Sequence, residues 1–159
     1  MSGLEKLVGR TILEARMDKG SGNLCLMLDG WQMVRLVPEG DCCANCFING
    51  VSGADALQGG KVVSVENAPG IEPTQAEKDA AEVLDTWGHV ITTDHGVCFI
   101  DMRVSHNGYY GGSLDWKEMG ETVAQTWERF LVDVARGAGA DYTPDRQTGL
   151  AEFPKLEDF

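Results

Sequence analysis

Positive charge is what this sequence has least of. Thirteen Lys and Arg stand against 25 Asp and Glu in 159 residues, a formal net charge of −12, and the pI is near 4.5. A protein that grips nucleic acid by neutralising phosphates needs a basic face, so that class is set aside. Attachment to an anionic membrane surface through a polybasic segment is set aside for the same reason. No stretch approaches the roughly 20 apolar residues of a membrane helix, and the opening residues, Met1 to Lys6, hold no apolar signal-peptide core. The cysteines, Cys25, Cys42, Cys43, Cys46 and Cys98, are odd in number, so at least one thiol is unpaired within the chain. Bridging the adjacent Cys42 and Cys43 would strain the backbone. A reduced, cytosolic protein is the simplest expectation.

What is present is an ordinary globular composition, 43% apolar and 24% charged, enough for one domain with a core. Residues 7–17 have a β-rich middle, and 23–28 read as a strand. Asp29-Gly30 is a hairpin-turn signal, and residues 31–37 carry apolar side chains at both parities, as a strand covered on both faces does. The stretch 40–60 is irregular and rich in Gly and Asn, followed by a strand at 61–66. Thr74 and Glu77 have the spacing of a capping box, which opens a short helix. Residues 87–93 and 97–104 flank Asp94-His95-Gly96 as a second hairpin. Trp116, Met119, Val123, Trp127, Phe130, Leu131 and Val134 fall on one helical stripe. The fold expected from this pattern is α+β: an antiparallel sheet of about six or seven strands, a short helix at about 74–85, and a long amphipathic helix at about 115–136 packed on one face. A single domain, 1–137, would be followed by an acidic-aromatic tail, 138–159, lying on the domain or on a partner.

Chemistry-bearing residues are few and poorly matched. Cys43 and Cys46 have zinc-knuckle spacing, yet a structural zinc site needs four ligands. There is no second Cys-x-x-Cys, and His89, His95 and His106 lack paired spacing. Cys43 and Cys46 remain weak metal candidates, and neither a metal nor a cofactor is implied. A catalytic thiolate would need a positioned base, which no local motif supplies. The Gly-rich run 108–113 lacks the Gly-Lys-Ser/Thr ending of a phosphate loop. Carboxylates are abundant but scattered, so no acid–base pair stands out.

Four motifs occur in a recognisable order: Leu7-Val8-Gly9-Arg10-Thr11-Ile12, Asp41-Cys42-Cys43, a glycine turn from Gly53 through Leu57 to Gly59 or Gly60, and Asn107-Gly108-Tyr109-Tyr110. In these the chain resembles a family of uncharacterised phage and prophage proteins, over about residues 7–115. Cys46 and everything after Asp115 depart from that pattern. The resemblance implies a β-rich fold and a phage or prophage setting, hence the cytoplasm of a bacterial host cell. It implies no reaction and transfers no catalytic residue.

The function expected from size, acidity and this resemblance is a non-enzymatic accessory protein that binds and inhibits a host protein, such as a defence nuclease or CRISPR effector. Its acidic surface would compete for a basic nucleic-acid-binding site. The acids expected to carry the interaction are Glu77, Asp79 and Glu82 on the short helix, and Glu118, Glu121, Glu128 and Asp133 on the long one. Asp41, Cys42, Cys43, Asn107, Tyr109 and Tyr110 are read as structural, with Asp41 capping N–H groups of the turn that follows it. The alternatives are a metal- or thiol-dependent enzyme centred on Asp41-Cys42-Cys43-Cys46, and a structural or virion-associated protein.

Overall fold

Strand β2, Leu24–Leu28, is buried at every position, which a strand achieves only when both its faces are covered. In the computed structural model, which describes residues 3–18 and 21–119 together with 122, 125, 128, 130, 138 and 139, β2 is the centre of a five-stranded sheet. That sheet runs β8 (Gly112–Glu118), β3 (Gln32–Gly40), β2, β1 (Ile12–Met17), β9 (Ala138–Gly139). A second sheet runs β4 (Asn45–Ser52), β7 (Gly96–His106), β6 (Val83–Thr93), β5 (Val62–Ala68). Every pairing is antiparallel.

Side-chain alternation decides what each face does. Leu24, Leu26 and Leu28 point into one core shared with Val34, Leu36 and Leu114 of their own sheet and with Ile91, Cys98, Ile100 and Met102 of the other. Each such buried side chain contributes about 1.5–3 kcal/mol of hydrophobic stabilisation. Cys25, Met27 and Met33 point the opposite way, into a second cluster closed by Phe130 with Met119 beside it. The chain passes between sheets at the turn 41–44, joining β3 to β4. Near the other edge, the bridge Thr11–Lys61 and the bond from Gly9 N–H to the Val62 carbonyl, 2.9 Å, tie the start of β1 to β5.

The opening motif builds this joint. Leu7 and Ile12 are in the core. Arg10 holds the β2–β3 turn through Nε to Asp29 Oδ1 (2.6 Å), Nη1 to Gln32 Oε1 (2.9 Å) and Nη2 to the Asp29 carbonyl (2.9 Å). The turn spans Asp29–Trp31, with left-handed backbone at both Gly30 and Trp31, so it is one residue longer than the Asp-Gly pair alone predicts.

The α+β expectation is wrong. The fold is mostly β, in two sheets instead of one, and the described α-helix is a single short element, α1 (Gln75–Asp79). Its N-terminus is the capping box: Thr74 Oγ1 accepts from Glu77 N–H at 3.2 Å, and Glu77 Oε1 accepts from Thr74 N–H at 3.5 Å. It does not reach 85, because β6 begins at Val83 and pairs with β7 along its whole length. The long helix at 115–136 is not among the described elements. Its first residues, Asp115 to Glu118, are strand, paired with β3. Trp116 packs on the inter-sheet core, whereas Met119 joins the cluster on the opposite face. A step of three crosses a strand from face to face, so what reads as a helical stripe begins as a strand. Gln125, Glu128 and Phe130 have helical backbone; the rest of that segment and the tail from 140 onward lie outside the described residues. Ala138 and Gly139, placed in the tail by sequence, pair with Met17 and Arg16.

Candidate functional site

On β6, Trp87, His89 and Ile91 alternate toward the other sheet. Ile91 is core. The other two border a cleft of about 580 Å³ between the sheets. Its walls are Leu4 and Glu5 from the 3-10 turn Leu4–Leu7, Val65 and Asn67 from β5, Trp87 and His89 from β6, and residues 112–114 of β8. The 3-10 turn is held against β8: Lys6 Nζ stands 5.7 Å from the centroid of the Trp116 ring.

His89 is 4% exposed. Trp87 Nε1 donates to its Nε2 at 3.2 Å. An indole nitrogen only donates, so His89 Nε2 is the bare nitrogen and the ring proton sits on Nδ1. That Nδ1 is buried and has no hydrogen-bond partner among the described residues. Burial pushes the His89 pKa down, which keeps the ring neutral near pH 7.

The Asp41-Cys42-Cys43 segment is the exposed turn between β3 and β4. Asp41 does not cap that turn with its side chain. Its carbonyl accepts from Ala44 N–H (2.6 Å), while its carboxylate accepts from Gly111 N–H (3.1 Å) and its own N–H donates to the Gly111 carbonyl (3.0 Å). Cys42 and Cys43 are exposed free thiols with their sulfurs 3.6 Å apart. Cys46 is half-buried, packs on the inter-sheet core and approaches the Ser113 carbonyl at 3.6 Å. Burial pushes its thiol up to about 11; Asp115 adds to this and the Ser113 backbone opposes it. Among the described residues no three His, Cys, Asp or Glu side chains converge as a metal site would require.

The Asn107-Gly108-Tyr109-Tyr110 segment is the β7–β8 turn. His106 Nδ1 accepts from Gly108 N–H at 2.9 Å, and its Nε2 meets Asp85 Oδ2 at 2.6 Å. Tyr109 stands out at the tip, 89% exposed.

The acids singled out by sequence are not one group. Glu77 is engaged within the chain, by the capping box and by Arg103 Nε at 3.3 Å. Asp79 and Glu82 are exposed near α1, Asp79 accepting from Gln75 at 2.8 Å. Glu118 is exposed at the end of β8 and accepts from Trp116 Nε1 at 3.1 Å. Glu128 is exposed, while Glu121 and Asp133 lie outside the described residues.

The family model described as a domain of unknown function, DUF7448, matches residues 5–116. The chain belongs to the DUF7448 family. The match runs from the 3-10 turn into β8, so every wall of the cleft except Leu4 falls within the DUF7448 domain, as do the Asp41–Gly111 clasp and both turns it joins. The family carries no assigned activity, and no curated protein and no solved structure matches this chain.

Sequence reasoning missed the cleft. Its one local signal is Trp87-x-His89, a spacing of two that puts both rings on the same face of a strand.

Proposed function

We propose that this DUF7448 protein acts by binding, without catalysis, and that its partner presents a basic surface. One observation carries the reading: Arg10, Arg16, Arg35 and Arg103 are each held by a carboxylate of this chain, Asp29 (2.6 Å), Glu14 (2.5 Å), Asp18 (3.2 Å) and Asp101 (2.9 Å) respectively. Lys78 and Lys117 likewise stand beside Glu72 (2.7 Å) and Glu39 (3.8 Å). These cations are neutralised internally, and the acidic excess is left on exposed side chains such as Asp79, Glu82, Glu118 and Glu128. Such a surface steers a basic partner and competes with nucleic acid for it. The order of motifs from Leu7 to Tyr110 supports a phage-encoded accessory protein at work in a bacterial cytoplasm. A nucleic-acid-binding defence protein of the host is the class of partner that fits this charge.

The test is an on-rate measurement. A host nucleic-acid-binding protein captured on the immobilised chain is re-purified, and its association is followed at about 0.1 M and about 1 M salt, where screening lengths are about 10 Å and 3 Å. The wild type is compared with Glu82→Lys/Glu118→Lys/Glu128→Lys. Association that slows with salt and with charge reversal supports the reading. An on-rate indifferent to both overturns it.

A further inference from the structure

Cys42 and Cys43 are both exposed, both free, and have their sulfurs 3.6 Å apart. The turn that carries them is fixed at its two ends. Ala44 N–H donates to the Asp41 carbonyl (2.6 Å), and Asp41 is bonded in both directions to Gly111 (3.0 and 3.1 Å). The two thiols are therefore presented together to solvent from a braced loop, and little order remains to be imposed when one ligand takes both. A bridge between them is disfavoured, because adjacent Cα atoms are about 3.8 Å apart and disulfides usually span about 4.4–6.8 Å. The other cysteines do not compete. Cys25 and Cys98 are buried, and Cys46 packs on the inter-sheet core with its thiol pushed up to about 11.

The spacing of the sulfurs selects the kind of atom that fits between them. With bonds of about 2.3 Å, the length of a metal–thiolate bond, sulfurs at 3.6 Å subtend about 100° at the bound atom. A linear two-thiolate ion would hold them about 4.6 Å apart. A tetrahedral zinc accepts the bent angle but needs four ligands, and among the described residues no third His, Cys, Asp or Glu converges on the pair. The centre that fits is bent, thiophilic and brings its remaining substituent with it.

We propose that Cys42 and Cys43 form a chelating site for a trivalent arsenical that carries one organic group. The arsenical reacts as its dihydroxide. Two S–H and two As–OH bonds break, two As–S bonds form, and two waters leave; arsenic stays trivalent and nothing is oxidised. This site is separate from the acidic surface and would operate whether or not that surface binds a protein.

The probe is phenylarsine oxide, titrated into the reduced, intact chain near neutral pH in an excess of glutathione, a monothiol competitor. Intact-protein mass spectrometry counts the adducts, and peptide mapping places them. Wild type and Cys46→Ser should each hold one phenylarsenic and release it to 2,3-dimercaptopropanol. Cys42→Ser and Cys43→Ser, which alter exposed side chains, should each lose at least about 100-fold in affinity, because the second bond of a chelate forms within one molecule. Zn²⁺ alone, titrated against a chromogenic chelator, should not bind stoichiometrically. No adduct in the presence of glutathione overturns the proposal. So does undiminished affinity in either Cys42→Ser or Cys43→Ser, or loss of the adduct in Cys46→Ser. One equivalent of Zn²⁺ bound through Cys42 and Cys43 would make this a metal site and overturn the choice of ligand.

Discussion

Asp41 and Gly111, separated by 70 positions, are bonded in both directions: the Asp41 N–H donates to the Gly111 carbonyl at 3.0 Å, and the Gly111 N–H donates to Asp41 Oδ2 at 3.1 Å. The pair locks the β3–β4 turn to the β7–β8 turn, so the Asp-Cys-Cys and Asn-Gly-Tyr-Tyr motifs form one surface corner. Asp41→Ala removes the carboxylate acceptor and should cost about 0.5–1.5 kcal/mol. For a chain of this size that lowers Tm by about 2–4 °C per kcal/mol. Asp41→Asn keeps a carbonyl acceptor and should recover most of the loss. Equal melting of the Ala and Asn variants would mean that the side-chain bond contributes nothing.

A buried ion pair sits on the outer face of the second sheet. Arg103 is fully buried and Asp101 is 1% exposed. Asp101 accepts from Asn49 Nδ2 (2.8 Å), Ile71 N–H (2.9 Å) and Arg103 Nη1 (3.0 Å), which fastens the 69–82 connection over β7. Asp101→Ala leaves the guanidinium buried with the looser contacts to Glu77 (3.3 Å) and the Met102 carbonyl (3.4 Å), and should destabilise by about 3–5 kcal/mol. The double variant Asp101→Leu/Arg103→Met removes both charges and should be more stable than Asp101→Ala alone. Urea denaturation of the three proteins checks this; a double variant less stable than the single one contradicts it.

Stability should also depend on His89. Its folded pKa lies below the unfolded value of 6.5 because burial disfavours the charged ring. The unfolded state therefore takes up the proton first as pH falls. The contribution is fully present above about pH 6.5 and is lost as pH drops through the folded value. His89→Phe removes this dependence. Between about pH 8 and pH 5 the wild type should lose melting temperature relative to the variant as the pH falls; parallel curves would refute the assignment.

The thiols should separate by reactivity. Cys42 and Cys43 are exposed, whereas Cys46 is pushed up to about 11 by burial and stays protonated. Brief iodoacetamide treatment of the folded chain near neutral pH should label Cys42 and Cys43 well before Cys25, Cys46 or Cys98, read by peptide mass spectrometry. Because Cys42 is exposed, Cys42→Ser should change stability by no more than about 0.5 kcal/mol. Preferential labelling of Cys46 would reopen the case for a thiol centre there.

What sequence made legible here is local. Thr74 and Glu77 are three residues apart, so their capping box follows from spacing. The β6–β7 hairpin follows from alternation around Asp94-His95-Gly96. Asp41 is different: the nearest N–H groups in sequence are those of its own turn, and nothing local points to Gly111. The second sheet was hidden for the same reason, since the turn 41–44 looks alike whether the next strand pairs with β3 or crosses over to β7. At Trp116 and Met119 the spacing suits a helix, but seven ladder positions against β3 make the segment strand up to Glu118. Trp87 and His89 stand two positions apart on one strand, yet the cleft exists only because β8 and the Leu4–Leu7 turn close around them.

Phe130 gives the last prediction. Its side chain is fully buried against Cys25, Met27 and Met33, the face of the first sheet that points away from the second. The chain leaves β8 through Met119, whose N–H donates to the Met33 carbonyl at 3.2 Å and which packs beside the same cluster. Without this cover, Met27 and Met33 would present an apolar patch to water. Truncating the ring should therefore cost as much as a core deletion: Phe130→Ala is expected to destabilise by about 3–5 kcal/mol. Val63, 61% exposed on β5, is the control, and Val63→Ala should stay within about 0.5 kcal/mol. Urea denaturation reads both. If Phe130→Ala is as mild as Val63→Ala, the outer face does not depend on Phe130 for its cover. A full-sized loss shows that the segment after β8 is integral to the domain, although the family match stops at residue 116.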